Sequence, residues 1–159
     1  DLIVLCTNTM HKLAYAIEDA VSIPLLHIAD PTAEAIRAAG ITRVGLLATA
    51  FTMEQDFYRG RLTEKHGLDV LTPDANERAL VHRIIYEELV LGIVKAESRE
   101  AYKRVIAQLV ERGAQGIILG CTEIMLLISP DDCPVPSFDT TTLHALAAVD
   151  AALETHITR

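Results

Sequence analysis

The chain alternates short apolar runs with segments whose apolar residues recur at helical spacing. Six apolar runs predict β-strands, at 2–6, 24–28, 41–48, 68–71, 115–120 and 135–138. Helical spacing and end signals predict the helices that connect them, at 9–20, 30–40, 49–66, 76–91, 97–112 and 140–153. Regular alternation of strands and helices is typical of an α/β fold with parallel sheets, and we predict that class.

Two of the predicted strands end at a cysteine, Cys6 and Cys121, and hydroxyl side chains follow both. A thiol at the start of a helix ionises more readily than a thiol in a core. We interpret the pair as two thiols that face each other across one cleft, one acting as base and the other as acid. The alternative is that both are small buried hydrophobic residues, as most free cysteines are.

The polar residues beside the cysteines are candidate substrate ligands. Thr7, Asn8 and Thr9 offer hydroxyl, amide and backbone N–H groups at a helix start, which suits a carboxylate or phosphate and serves equally as an N-cap. Thr122 and Glu123 repeat the arrangement after the second cysteine. A carboxylate beside a thiol raises the thiol pKa unless it faces a cation, such as a substrate ammonium group.

A third strand end also carries hydroxyl groups. Thr49 and Thr52 follow the strand at 41–48. Their hydroxyls either contact the same ligand from the other side or cap the next helix. His11 lies more than one helical turn beyond Cys6, and His27 and His82 lie among apolar residues. We interpret all three histidines as structural.

Composition narrows the function classes. The chain has 159 residues, half of them hydrophobic, and a net charge of −8, with no basic patch that would indicate nucleic acid as a partner. Its apolar runs are too short to predict a membrane span. Three widely spaced cysteines predict neither a disulfide framework nor a metal site, and they fit a reduced, cytoplasmic protein. Because the first residues already resemble a buried strand, we expect an N-terminal segment to be missing.

The two cysteine segments resemble the motifs of a known family. Residues 6–12, CTNTMHK, and residues 120–124, GCTEI, are similar to the two cysteine motifs of the aspartate/glutamate racemases that work without pyridoxal phosphate. Residues 51–58 resemble the start of that family's inter-lobe helix. Glu123 stands where glutamate racemases usually carry histidine, so the likeness favours the broad-specificity enzymes of the aspartate racemase branch.

The resemblance implies two pseudo-symmetric, Rossmann-like lobes with parallel sheets and an active site in the cleft between them. The first lobe would comprise 1–40 and 134–159 and be incomplete, because the family's glycine-rich first strand and a further stretch are missing; the second would comprise 41–133. The resemblance also implies a homodimer that needs no cofactor.

The same resemblance implies a function, the interconversion of L- and D-amino acids by transfer of the α-proton between two thiols. Cys6 and Cys121 would be the two bases. The implied substrate contacts are Thr7, Asn8, Thr9, Glu87, Thr122 and Glu123, to which Thr52 is added from its position at a strand end.

Two other classes of function remain open. One is a related enzyme of the same superfamily, such as a maleate isomerase, an arylmalonate decarboxylase or a hydantoin racemase, which product analysis would distinguish. The other is a non-catalytic protein that binds an acidic metabolite, which would show ligand-induced stabilisation without α-proton exchange.

Overall fold

The protein has an α/β fold with parallel strands, as predicted. Its structure, a computed structural model, describes residues 1–157, with side chains placed to residue 153. A four-stranded sheet has the order β4-β3-β5-β6, and each strand is parallel to its neighbours. Its strands are β3 (Arg43–Leu47), β4 (Asp69–Leu71), β5 (Ile117–Leu119) and β6 (Ser137–Asp139).

A second, smaller sheet lies at the beginning of the chain. It pairs β1 (Ile3–Val4) with β2 (Leu25–Leu26) in parallel. A 3₁₀ turn (Thr9–Leu13) and then α1 (Ala14–Ala20) connect these two strands. The sequence predicted one helix over both segments with a side-chain cap, but Asn8 makes no capping hydrogen bond.

The remaining helices cover the four-stranded sheet. They are α2 (Ala29–Ala38), α3 (Ala50–Glu54), α4 (Asp56–Gly60), α5 (Ala75–Glu87), α6 (Ala96–Glu111), α7 (Ile124–Leu127) and α8 (Thr140–Ile157). Three short turns of other helix types are also present: Arg61–Lys65 after α4, Leu89–Leu91 after α5, and Pro130–Asp132 before β6. No helix among residues 1–157 is both long enough and apolar enough to cross a membrane.

The helix predicted over 49–66 is broken at Gln55. This residue has an extended backbone, with φ −87° and ψ 153°, so α3 ends before it and α4 begins after it. Met53 and Tyr58 are both fully buried. In one continuous helix these two side chains would point about 140° apart. The break lets both reach the same core.

Strand β6 lies at an edge of the four-stranded sheet. It pairs with β5, with Ile118 opposite Phe138, and therefore completes the same sheet as β3. Gly116 permits this close approach, because a Cβ there would lie 2.8 Å from the Phe138 ring. Helix α2, expected in the first lobe, also contributes Ile36 to the core of this sheet.

Candidate active site

A cavity of about 290 Å³ lies where β3 and β5 end. Six of the predicted site residues line it: Thr7, Asn8, Thr9, Cys121, Thr122 and Glu123. The carboxyl ends of neighbouring parallel strands meet at one edge of a sheet, which is where open α/β sheets bind ligands. The ends of β3 and β5 thus bring Thr49 and Cys121 together, and Thr7, Asn8 and Thr9, which follow β1 of the smaller sheet, complete the lining.

Cys121 is the half-buried thiol of this cavity. Its Sγ donates a hydrogen bond to Glu123 Oε2 at 3.0 Å, and the Thr122 hydroxyl donates to the same oxygen at 2.7 Å. Burial, followed by the hydrogen bond to the Glu123 carboxylate, raises the pKa of Cys121 to about 12. Burial by itself would raise the pKa of Glu123, but the hydrogen bonds from Cys121 and Thr122 lower it. At neutral pH the proton therefore lies on the thiol and the charge on the carboxylate.

Three threonine hydroxyls form a cluster at one side of the cavity. Thr9 Oγ1 lies 3.1 Å from Thr49 Oγ1 and 3.2 Å from Thr52 Oγ1, and the last two are 3.3 Å apart. Thr9 and Thr49 line the cavity, whereas Thr52 is fully buried behind them. Each hydroxyl can donate only one hydrogen bond. Thr52 contacts both of the other hydroxyls from the buried side of the cluster.

Asn8 connects the first cysteine segment to the main sheet. Its Nδ2 donates to Thr140 Oγ1 at 3.0 Å, and that hydroxyl donates to the Leu119 carbonyl at 3.0 Å. Because the Thr140 hydroxyl hydrogen is committed to the carbonyl, its oxygen must accept from Asn8. The Asn8 side chain is thereby fixed at the edge of the cavity, only 4% exposed.

Cys6 lies outside the Cys121 cavity. Its exposed side chain lines a separate cavity of about 150 Å³ with His144 and Thr122. Thr122 lines both cavities. The neighbour of Cys6, Thr7, does reach the larger cavity. The predicted convergence of the two cysteine segments is present, but the two thiols do not share one cavity.

Glu87 is not brought to the site. Its side chain is exposed and lies 3.9 Å from Arg83 on the same helix. The preceding residue, Tyr86, lines the cavity instead. Successive residues of a helix point about 100° apart. Tyr86 can therefore face the cavity while Glu87 faces solvent.

Several lining residues were not predicted from the sequence. They are Met10, Ile85, Tyr86 and Val90, which form an apolar wall. Ile85 is buried, and the other three side chains are about half-exposed.

Buried histidines support the first cysteine segment from beneath. Ile28 N–H donates to His11 Nε2 at 3.2 Å, so the proton lies on Nδ1, which donates to the Thr7 carbonyl at 2.7 Å. The His27 ring packs against His11 at a tilt of 55°, with ring centroids 4.4 Å apart. Burial lowers the pKa of both, that of His27 to about 3. These contacts give both histidines the structural role that the sequence indicated.

The side chains in the described part of the chain include no cluster of three or more His, Cys, Asp or Glu placed to hold a metal ion.

Comparison with known proteins points to one family. The sequence model of the Asp/Glu/Hydantoin racemase family matches residues 1–148. A curated protein of Pectobacterium carotovorum subsp. carotovorum, named only as an uncharacterized protein in the pnlA 3′ region, is 36% identical over 107 residues, which are 67% of this chain and 69% of that protein.

Solved structures share the fold over nearly the whole chain. A Yersinia pestis protein crystallised as a candidate Asp/Glu racemase is 62% identical, with a TM-score of 0.92 over 96% of this chain and 66% of that one. An aspartate racemase homologue from Pyrococcus horikoshii OT3 is 36% identical, with a TM-score of 0.85 over 95% of this chain and 66% of that one. The chain thus spans about two thirds of the length of these structures.

Proposed function

This chain belongs to the Asp/Glu/Hydantoin racemase family, and on that premise we propose that it racemises an amino acid at its α-carbon. The observation that carries the proposal is the Cys121 site, a protonated thiol beside a carboxylate, hydroxyls and a fixed amide in one cavity. A thiol that retains its proton at neutral pH is suited to donate it to a carbanion.

We propose that the α-proton moves between two thiols. The Cys6 thiolate takes the proton, breaking the substrate C–H bond and forming S–H. Cys121 then donates its own proton to the opposite face of the carbon and becomes a thiolate. The reverse reaction uses the same groups in exchanged roles. Neither step requires pyridoxal phosphate or a metal ion.

Both thiols must reach one carbon for this transfer. The exposed Cys6 side chain has only a 3.8 Å contact from its Sγ to the Val4 carbonyl, so rotation about its Cα–Cβ bond breaks no strong interaction. Its neighbour Thr7 already lines the Cys121 cavity. We propose that a rotamer change at Cys6 turns its thiol toward this cavity when substrate binds.

The polar groups of the cavity divide between the two ends of a bound amino acid. The substrate carboxylate would accept hydrogen bonds from the hydroxyls of Thr9 and Thr49, supported by the neighbouring Thr7 and Asn8. The substrate ammonium would face Glu123, the carboxylate in the lining of this cavity.

Exchange of the α-hydrogen with solvent deuterium tests the proposal. Full-length protein incubated with single L-amino acids in D₂O should produce the D-enantiomer with deuterium at the α-carbon, measured by NMR and chiral chromatography. Cys6→Ala and Cys121→Ala should each abolish racemisation. Cys133→Ala, which removes the third thiol in a loop before β6, should not. Full two-way racemisation by Cys121→Ala would refute the two-thiol mechanism.

A further inference from the structure

A buried hydroxyl connects the two cysteine segments. Thr140 is fully buried in the first turn of α8, where its Oγ1 donates to the Leu119 carbonyl and accepts from Asn8 Nδ2, each at 3.0 Å. Leu119 lies two residues before Cys121. Asn8 lies two residues after Cys6. We propose, resting on the proposed racemase function, that Thr140 is a positioning residue, which orients the Asn8 amide and holds the two cysteine segments at a fixed separation for proton transfer.

Strand pairing and a helix cap place Thr140 at this junction. Pairing of β6 with β5 puts Asp139 opposite Leu119, and Thr140 follows directly. The Asp139 carboxylate accepts hydrogen bonds from the Thr141 N–H at 2.9 Å and from the Thr142 hydroxyl at 2.6 Å. Such contacts fix the first turn of a helix. Because the residues on both sides of Thr140 are held, its hydroxyl has a defined position beside the end of β5.

The Thr140 hydroxyl decides which end of the Asn8 amide faces it. The two ends of an amide side chain have nearly the same shape, but one donates hydrogen bonds and the other accepts them. With its hydrogen committed to the Leu119 carbonyl, Thr140 Oγ1 accepts from Asn8 Nδ2. A reversed amide would require the hydroxyl to leave that carbonyl for Asn8 Oδ1. Loss of the hydroxyl therefore releases the amide of a residue that lines the Cys121 cavity.

Other contacts keep the smaller sheet in place when the Thr140 hydroxyl is removed. His144, one turn later on α8, has Nε2 2.8 Å from the Leu26 carbonyl in β2, so this nitrogen carries a proton and donates. Thr7 is held separately, because His11 Nδ1 donates to its carbonyl at 2.7 Å. The first cysteine segment thus has supports independent of Thr140, and we expect removal of the hydroxyl to act locally, on the amide that it orients.

Two substitutions at Thr140 test the proposal, with α-proton exchange measured on the full-length protein and the L-amino acid that the wild type exchanges fastest. Thr140→Val removes the hydroxyl and keeps the shape, and should lower kcat/KM about tenfold or more, because misplaced site groups cost up to about 100-fold. Thr140→Ser keeps the hydroxyl and should remain within about threefold of the wild type. Thr32→Val is the matched control, because Thr32 is equally buried and its hydroxyl donates at 3.0 Å to the Ile28 carbonyl at the start of its own helix. It should leave kcat/KM unchanged.

A double-mutant cycle separates positioning from a general loss of stability. Asn8→Ala removes the group that Thr140 orients, so the addition of Thr140→Val to this variant should lower kcat/KM by less than about twofold. A substitution that acts only by destabilising the protein lowers activity by the same factor in both backgrounds. Urea unfolding of Thr140→Val and Thr32→Val compares their losses of stability directly, and only Thr140→Val should lose activity.

The outcomes separate this proposal from the racemase function on which it rests. Wild-type kcat/KM in Thr140→Val, or Thr140→Ser as slow as Thr140→Val, overturns the positioning role and leaves the racemase function intact. So does a full additional loss in the Asn8→Ala background. No exchange of any amino acid by the wild type overturns both. If circular dichroism shows that Thr140→Val does not fold, Thr140→Ser and Thr140→Ala, which differ from each other by one oxygen atom, make the same comparison, and equal rates overturn the positioning role.

Discussion

The protonation of Cys121 is the property of this site that can be tested most directly. The Sγ–Oε2 distance of 3.0 Å places the thiol against the Glu123 carboxylate, and burial together with this contact raises the thiol pKa from 9.0 to about 12. Glu123→Gln removes the negative charge but leaves the burial. The variant thiol should therefore ionise more easily, though less easily than a free cysteine.

The magnitude follows from the distance. Two unit charges about 3 Å apart interact by roughly 1.4 kcal/mol at a dielectric constant near that of water and by about 5.5 kcal/mol at an effective value near 20. Because Glu123 is only half-buried, the lower figure applies, which corresponds to about one pKa unit. At pH 8 the thiolate fraction, and with it the alkylation rate of Cys121, should rise about tenfold in Glu123→Gln.

Iodoacetamide alkylation followed by peptide mass spectrometry measures this rate. Trypsin cleaves after Arg112 and next at Arg159, so Cys121 and Cys133 fall in one peptide. A Cys133→Ala background leaves Cys121 as the one thiol of that peptide. Glu87→Gln provides the matched control, because it makes the same chemical change on an exposed helix position outside the cavity, and should leave the rate unchanged. An unchanged or slower rate in Glu123→Gln would refute the reasoning.

Two further predictions concern stability, each measured by urea unfolding. His27 is buried and its pKa is lowered from 6.5 to about 3, so the unfolded chain binds this proton first as the pH falls. The contribution of His27 to stability is complete above about pH 6.5 and should fall by about 2 kcal/mol at pH 5. His27→Gln should remove this part of the loss and leave the part due to His11, whose pKa burial also lowers; a flat profile in the wild type would contradict the reasoning. Asp30→Asn should lower the unfolding free energy by about 2–3 kcal/mol, because the partly buried Asp30 carboxylate accepts two hydrogen bonds of 2.7 Å from Arg61. Asp69→Asn, in an exposed pair with Arg43, should lower it by less than about 1 kcal/mol. Equal losses in the two variants would show that burial of the pair is irrelevant.

Strand positions and the neighbourhood of the site could be predicted from the sequence because both depend on short-range patterns. Apolar runs bounded by polar residues identified β3 and β5, and parallel pairing then required their carboxyl ends to converge. Convergence of these ends brings Thr49 and Cys121 to one cavity, so this part of the site follows from topology. Thr7 and Asn8 follow β1 of the other sheet, so their place in the cavity depends on how the two sheets pack.

Side-chain direction could not be predicted in the same way. Glu87 and Tyr86 are adjacent on one helix, and only the packing of that helix decides which of them faces the cavity. The break at Gln55 likewise depends on the need of Met53 and Tyr58 to reach one core, which no local propensity records. The pairing of β6 with β5 likewise involves a contact between residues that are 22 positions apart, because the Phe138 ring lies against Gly116, where a Cβ would be too close.

Thr122 and Glu123 together explain why the proton stays on Cys121. The Thr122 hydroxyl donates to the same carboxylate oxygen that accepts the hydrogen bond from Cys121, so both contacts stabilise a charged Glu123. That charge raises the pKa of the Cys121 thiol and keeps it protonated, as a proton donor to a carbanion must be. The protonation of the thiol and the charge of the carboxylate are therefore one property of this site, and a substitution of Glu123 should change both.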